Sequence, residues 1–238
     1  MESSLPLPLP PQAAKRLLKD LRQVHSEQIK QMGIWYLHEE ANMMKGTAMI
    51  RGPPGTPYSD CLLFFNFDIP FDYPFSPPKV TFLTGDGYTR LHPNLYVQGK
   101  VCLSILGTYP GPSWSANMTL ETVLLNLQSL LDENPLANEP AYIHGKLTDT
   151  RHKSYADAVE HQMTAYMVNL FKMVDQKKEG YWAPFEEIIQ TLRNDILDKQ
   201  EEKCGNRQET LWENLIYGMR VKSAWSQLKE RFHQFSRT

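Results

Sequence analysis

A thiol and a carboxamide stand close together in this chain, in a setting suited to acyl transfer. Cys102 follows the turn Leu91-His92-Pro93-Asn94, eight positions after Asn94, and leads into the apolar run Leu103-Ser104-Ile105-Leu106. A thiol beside a polar, turn-forming loop can be reached by a bulky partner. Sulfur accepts an acyl group readily, and the thioester stays reactive toward amines. An amide such as Asn94 can donate a hydrogen bond to the oxyanion formed when that carbonyl is attacked. Asn is also a favoured turn residue, so loop support is equally open to it. His92 raises a second chemistry, a Cys/His hydrolase pair, but no third residue that would orient its ring is identifiable.

The other two cysteines lack such neighbours. Cys61 opens the apolar stretch Cys61-Leu62-Leu63-Phe64-Phe65 and reads as an inert core thiol. Cys204, within Gln200-Glu201-Glu202-Lys203-Cys204-Gly205, reads as exposed and idle. Three widely spaced thiols with no metal-like pairs fit a reducing compartment, so a cytoplasmic and also nuclear location is expected, with no metal site. A formal charge of −2 gives no electrostatic support for nucleic-acid binding. The apolar runs are far too short to span a bilayer.

The elements that must position these residues follow from periodicity. Residues 1–12, rich in Pro, Leu and Ser, read as a flexible tail. Residues 13–31 read as an amphipathic helix with Leu17, Leu18, Leu21, Val24 and Gln28 on one side and Lys15, Arg16, Lys19 and Arg22 on another. Strand-like pieces follow at 34–37, 45–51, 61–69 and 79–83, separated by short Gly/Pro turns, as in an antiparallel meander. Alternation of Leu63, Phe65, Phe67 and Ile69 with Asn66 and Asp68 marks the third as half-buried. Residues 119–131 form a very apolar helix capped by Thr119, and 152–174 another. Helical spacing recurs over 182–198 and 208–232. The class is α+β, with a four-stranded meander flanked by helices.

The combination resembles the ubiquitin-conjugating enzymes. His92-Pro93-Asn94, seven intervening residues, then Cys102-Leu103-Ser104-Ile105-Leu106 is similar to the family's active-site signature. Tyr73-Pro74-Phe75-Ser76-Pro77-Pro78-Lys79-Val80 and Gly52-Pro53-Pro54-Gly55-Thr56-Pro57-Tyr58 match two further family blocks, in family order. The resemblance covers roughly 13–175, implying a catalytic core there and a helical extension over 176–238. It implies that Cys102 carries ubiquitin or a similar modifier as a thioester and passes it to a lysine. It gives Asn94 loop and oxyanion roles, and His92 a loop-supporting one. No cofactor is implied.

The remaining roles come from the same resemblance. An acidic residue in the loop after the central helix orients the attacking lysine; here Glu139 and Asn138 are the candidates, with Glu139 preferred because Pro140 follows it. Ser104 matches a position lining the approach to the thioester. The basic positions Lys15, Arg16, Lys19 and Arg22 match the face that meets the activating enzyme. Phe75 with Ser115 and Ala116 matches the ligase site, although the family's Ser-Pro-Ala is here Ser115-Ala116-Asn117. Trp114 lies twelve residues past Cys102, against about eight in short members. That insert and the long C-terminal segment resemble the larger Z-type enzymes. A non-catalytic module sharing the fold is the main alternative, which the presence of Cys102 argues against.

Overall fold

Short turns and alternating apolar residues over 34–82 produce four strands in simple succession. The computed structural model describes residues 10–205 and 207–237. Strands β1 (Ile34–Glu39), β2 (Asn42–Arg51), β3 (Leu62–Asp68) and β4 (Lys79–Phe82) form one antiparallel sheet in the order β1-β2-β3-β4. Its register places Tyr36, Ala48, Phe65 and Phe82 side by side, flanked by Ile34, Ile50, Leu63, Phe67 and Val80, all buried. The helices are α1 (Pro11–Val24), α2 (Glu27–Gln31), α3 (Leu120–Ser129) and α4 (Thr150–Asp175), followed by α5 (Glu186–Cys204) and α6 (Trp225–Gln234). The α+β meander with C-terminal helices is as expected.

Several boundaries differ from expectation. The first nine residues of the expected tail lie outside the described residues, and the helix already begins at Pro11, a residue suited to a first helical turn. The single helix expected over 13–31 is two. Ser26 leaves helical geometry and caps α2 through its hydroxyl, which accepts from the Ile29 N–H. Leu18 and Gln28, placed on the apolar side, are exposed, while Leu17, Leu21 and Val24 are buried as expected. Thr119 caps α3 in a reciprocal box with Thr122.

The segment read as a helix over 208–232 is mostly a hairpin. β5 (Leu211–Trp212) pairs with β6 (Val221–Lys222) around a short 3-10 turn at Ile216–Gly218, and only α6 is α-helical. Trp212, Leu215, Ile216 and Met219 are spaced as on a helix, but Asn214 and Tyr217 hold left-handed backbone, φ 55° and 62°, which breaks one. Cys204 is not exposed. It and Gln200, one turn apart on α5, are both buried, and burial pushes the thiol up to about 11.

The extension shares a hydrophobic core with the sheet. β3 is buried on both faces at its start, not on one, because Phe64 meets Tyr181 and Phe185 at ring separations of 5.2 and 5.8 Å. The buried Gln200 amide donates to the Asp60 carbonyl at 2.9 Å, and Arg51 pairs with both Asp60 and Asp195. Arg193, 1% exposed, joins Asp175 at 2.9 Å to the Ser236 carbonyl at 2.9 Å. Phe185→Ala is therefore expected to lower the stability of the whole chain by about 3–5 kcal/mol in one cooperative urea transition. A separate early transition, leaving the sheet's unfolding unchanged, would instead show the extension to be an independent unit.

Candidate active site

The turn ahead of Cys102 is held by its own side chains. The Asn94 N–H donates to His92 Nδ1 at 2.9 Å, which leaves the ring proton on Nε2. That nitrogen faces the Leu130 backbone without a partner at hydrogen-bond geometry. Complete burial depresses the imidazole to about 3, so it is neutral near pH 7. With Nδ1 occupied by the Asn94 N–H and the ring buried, His92 braces its own turn.

Asn94 and Cys102 are joined twice. The Cys102 N–H donates to the Asn94 carbonyl at 2.8 Å, and Asn94 Nδ2 donates to the Cys102 carbonyl at 2.8 Å. The carboxamide thus braces the backbone that carries the sulfur, with one of its two N–H bonds spare for a reacting carbonyl. Beyond the cysteine, the Thr108 hydroxyl donates to the Val101 carbonyl at 2.6 Å and accepts from the Leu103 N–H at 3.0 Å. Gly111 folds the insert back onto Ser104: a Cβ there would come within 2.9 Å of the Ser104 Cβ. Cys102 is only 5% exposed, less open than its loop setting suggested.

Arg90, absent from the sequence reading, completes the loop. It donates to the His92 carbonyl at 3.1 Å and to the Pro93 carbonyl, while its guanidinium lies 3.3 Å over the Tyr96 ring. A cation immediately before the turn was the available signal. In the loop after α3, Asn138 turns its amide onto Asp132 at 2.8 Å. Glu139 points elsewhere: its Oε2 accepts from the Tyr217 hydroxyl at 2.6 Å.

The partner-facing candidates form two surfaces. Phe75 is 76% exposed, and Trp114 Nε1 donates to the Pro74 carbonyl at 2.7 Å, which ties that loop to Ser115 and Ala116. Lys15, Lys19 and Arg22 are exposed on α1. Arg16 is turned inward, to the carbonyls of Ala116 and Met118 and to the buried Asp20. Asp20 also accepts from the Tyr73 hydroxyl and the Leu120 N–H, linking α1, the Phe75 loop and the start of α3. Among the described residues no group of three His, Cys, Asp or Glu is placed to hold a metal, and no helix is long and apolar enough to cross a membrane.

Comparison with known proteins agrees with the geometry. Residues 16–163 match the family model described as ubiquitin-conjugating enzyme. The human ubiquitin-conjugating enzyme E2 Z is 38% identical over 157 residues, 64% of this chain and 42% of the relative. The zebrafish E2 Z is 35% identical over 181 residues, 74% of this chain and 53% of the relative. The chain thus matches about half the length of these curated relatives. Among solved structures, a Toxoplasma gondii ubiquitin conjugating enzyme E2 domain aligns with TM-score 0.50 and 29% identity, covering 64% of this chain and 97% of that one. The chain belongs to the ubiquitin-conjugating enzyme family and is most like its Z-type members.

Proposed function

We propose that Cys102 accepts ubiquitin or a ubiquitin-like modifier from an activating enzyme and delivers it to a lysine, directly or with a ligase. The Cys102 thiolate attacks the carbonyl of the modifier's thioester on the activating enzyme, whose own thiolate leaves. A lysine amine then attacks the new thioester, the Cys102 thiolate departs, and the ammonium proton passes to a base. ATP is consumed at the activating enzyme, and neither transfer on this chain needs a cofactor.

The observation that carries this reading is the double bond between Asn94 and Cys102. It fixes the sulfur-bearing backbone against the Asn94 carboxamide, which supports the reading that Asn94 donates to an oxyanion there. The buried neutral His92 supports the loop and leaves a hydrolase without its base. Lys15, Lys19 and Arg22 present the charge that would meet an acidic activating-enzyme domain, and Phe75 the apolar anchor for a ligase. We place this chemistry in the cytoplasm and nucleus.

Incubation of the full chain with activating enzyme, MgATP and modifier tests the reading. The expected product is a one-to-one adduct cleaved by thiol reductant. A folded protein that forms no adduct with ubiquitin or a ubiquitin-like modifier would be a binding module instead. Cleavage of a modifier ester without activating enzyme would mark a thiol hydrolase.

A further inference from the structure

The hairpin of the C-terminal extension reaches Arg90, which precedes the Cys102 turn, and Glu139 in the loop after α3. Its turn is closed by the Leu215 N–H donating to the Met219 carbonyl at 3.1 Å, and carries consecutive left-handed residues, Tyr217 (φ 62°) and Gly218 (φ 67°). Left-handed backbone is unfavourable for an aromatic residue, so the surrounding contacts must hold it there. They are specific. The Tyr217 hydroxyl donates to Glu139 Oε2 at 2.6 Å. Its ring lies against the Arg90 guanidinium at 4.9 Å and edge-on to Tyr155 at 6.3 Å. Met219 Sδ accepts from the Arg90 N–H at 3.2 Å, and the Tyr155 hydroxyl donates to the Arg90 carbonyl at 2.7 Å. Arg90 in turn holds the carbonyls of His92 and Pro93. One turn of the extension therefore touches both the loop before Cys102 and the loop carrying Glu139.

We propose that Tyr217 is a positioning residue of this site, its hydroxyl fixing the Glu139 carboxylate to receive the incoming lysine ammonium. The inference rests on the transfer role proposed for Cys102 and on the lysine-orienting role that the family resemblance implies for Glu139. A buried anchor would need only an apolar ring, whereas Tyr217 remains 40% exposed and spends its hydroxyl on a carboxylate. The bond engages Oε2 and leaves Oε1 to the lysine. Burial and the neighbouring carboxylate both raise the phenol above its ordinary range, so it remains a donor across the working pH.

The test uses full-length Tyr217→Phe, which keeps the ring and removes the hydroxyl. Protein charged in a single turnover is discharged to free lysine at increasing concentration, and separately to hydroxylamine, a small nucleophile that needs no orienting carboxylate. Charging and hydroxylamine discharge are expected to be unchanged. Discharge at low lysine should fall roughly three- to tenfold, the range one hydrogen bond supplies, with more lysine needed for half-saturation. In a Glu139→Ala background the substitution should have no further effect. Three results would overturn the proposal: lysine discharge equal to the parent's, equal slowing toward both nucleophiles, or an undiminished effect without Glu139. A parent protein that takes up no modifier would overturn the thioester reading first, and this one with it.

Discussion

Cys102→Ala is expected to abolish uptake of modifier from the activating enzyme, and replacement of Cys61 or Cys204 to leave it. Only the sulfur of Cys102 lies behind the His92-Pro93-Asn94 turn. Cys61 and Cys204 are fully buried, and burial holds both thiols above their usual range, so neither supplies thiolate at neutral pH. The measurement is a non-reducing charging assay on each variant beside its thermal unfolding curve, since the two buried cysteines also fill the core. A folded Cys102→Ala protein that still gave a thiol-sensitive adduct would move the chemistry to another residue.

Asn94→Ala is expected to spare charging and slow discharge to lysine by roughly a hundred- to a thousandfold, the usual cost of one oxyanion donor. The same substitution removes the 2.8 Å bond to the Cys102 carbonyl. Loss of that loop bond is worth about 1 kcal/mol, or about fivefold. The two roles therefore separate by magnitude. A drop beyond tenfold in discharge, with charging retained, assigns Asn94 to the oxyanion. Equal, modest losses in both steps with a lowered unfolding temperature would leave it a brace alone.

The grouping of His92 and Asn94 with Cys102 was legible because it is local in sequence. His92, Asn94 and Cys102 lie within eleven positions, and their types and spacing carry the meaning. The meander was legible for a similar reason: strands joined by short turns pair with their neighbours, so period-two alternation and Gly/Pro punctuation suffice. What could not be read lies in distant contacts. Glu139 and Tyr217 are 78 positions apart, and nothing in either segment announces the other. Arg90 drew no reading, because its role depends on carbonyls of His92 and Pro93 that gather round its guanidinium only in the folded loop. The hairpin over 211–222 mimicked a helix because its apolar residues fall three and four apart. Cys204 looked solvated because its neighbours in sequence are charged, whereas its neighbours across one helical turn are buried. The doubly buried start of β3 depends on Tyr181 and Phe185, which arrive from beyond the expected core.

A thioester on the Cys102 sulfur would be visible in mass spectrometry of the charged full-length protein. The expected mass gain is one modifier less one water, lost on treatment with reductant and mapped to the peptide containing Cys102. With Cys102→Ser the adduct should persist in reductant and yield to alkali, because an oxygen ester has replaced the sulfur one. An adduct on a lysine or another cysteine, with Cys102 free, would rule out Cys102 as the carrier.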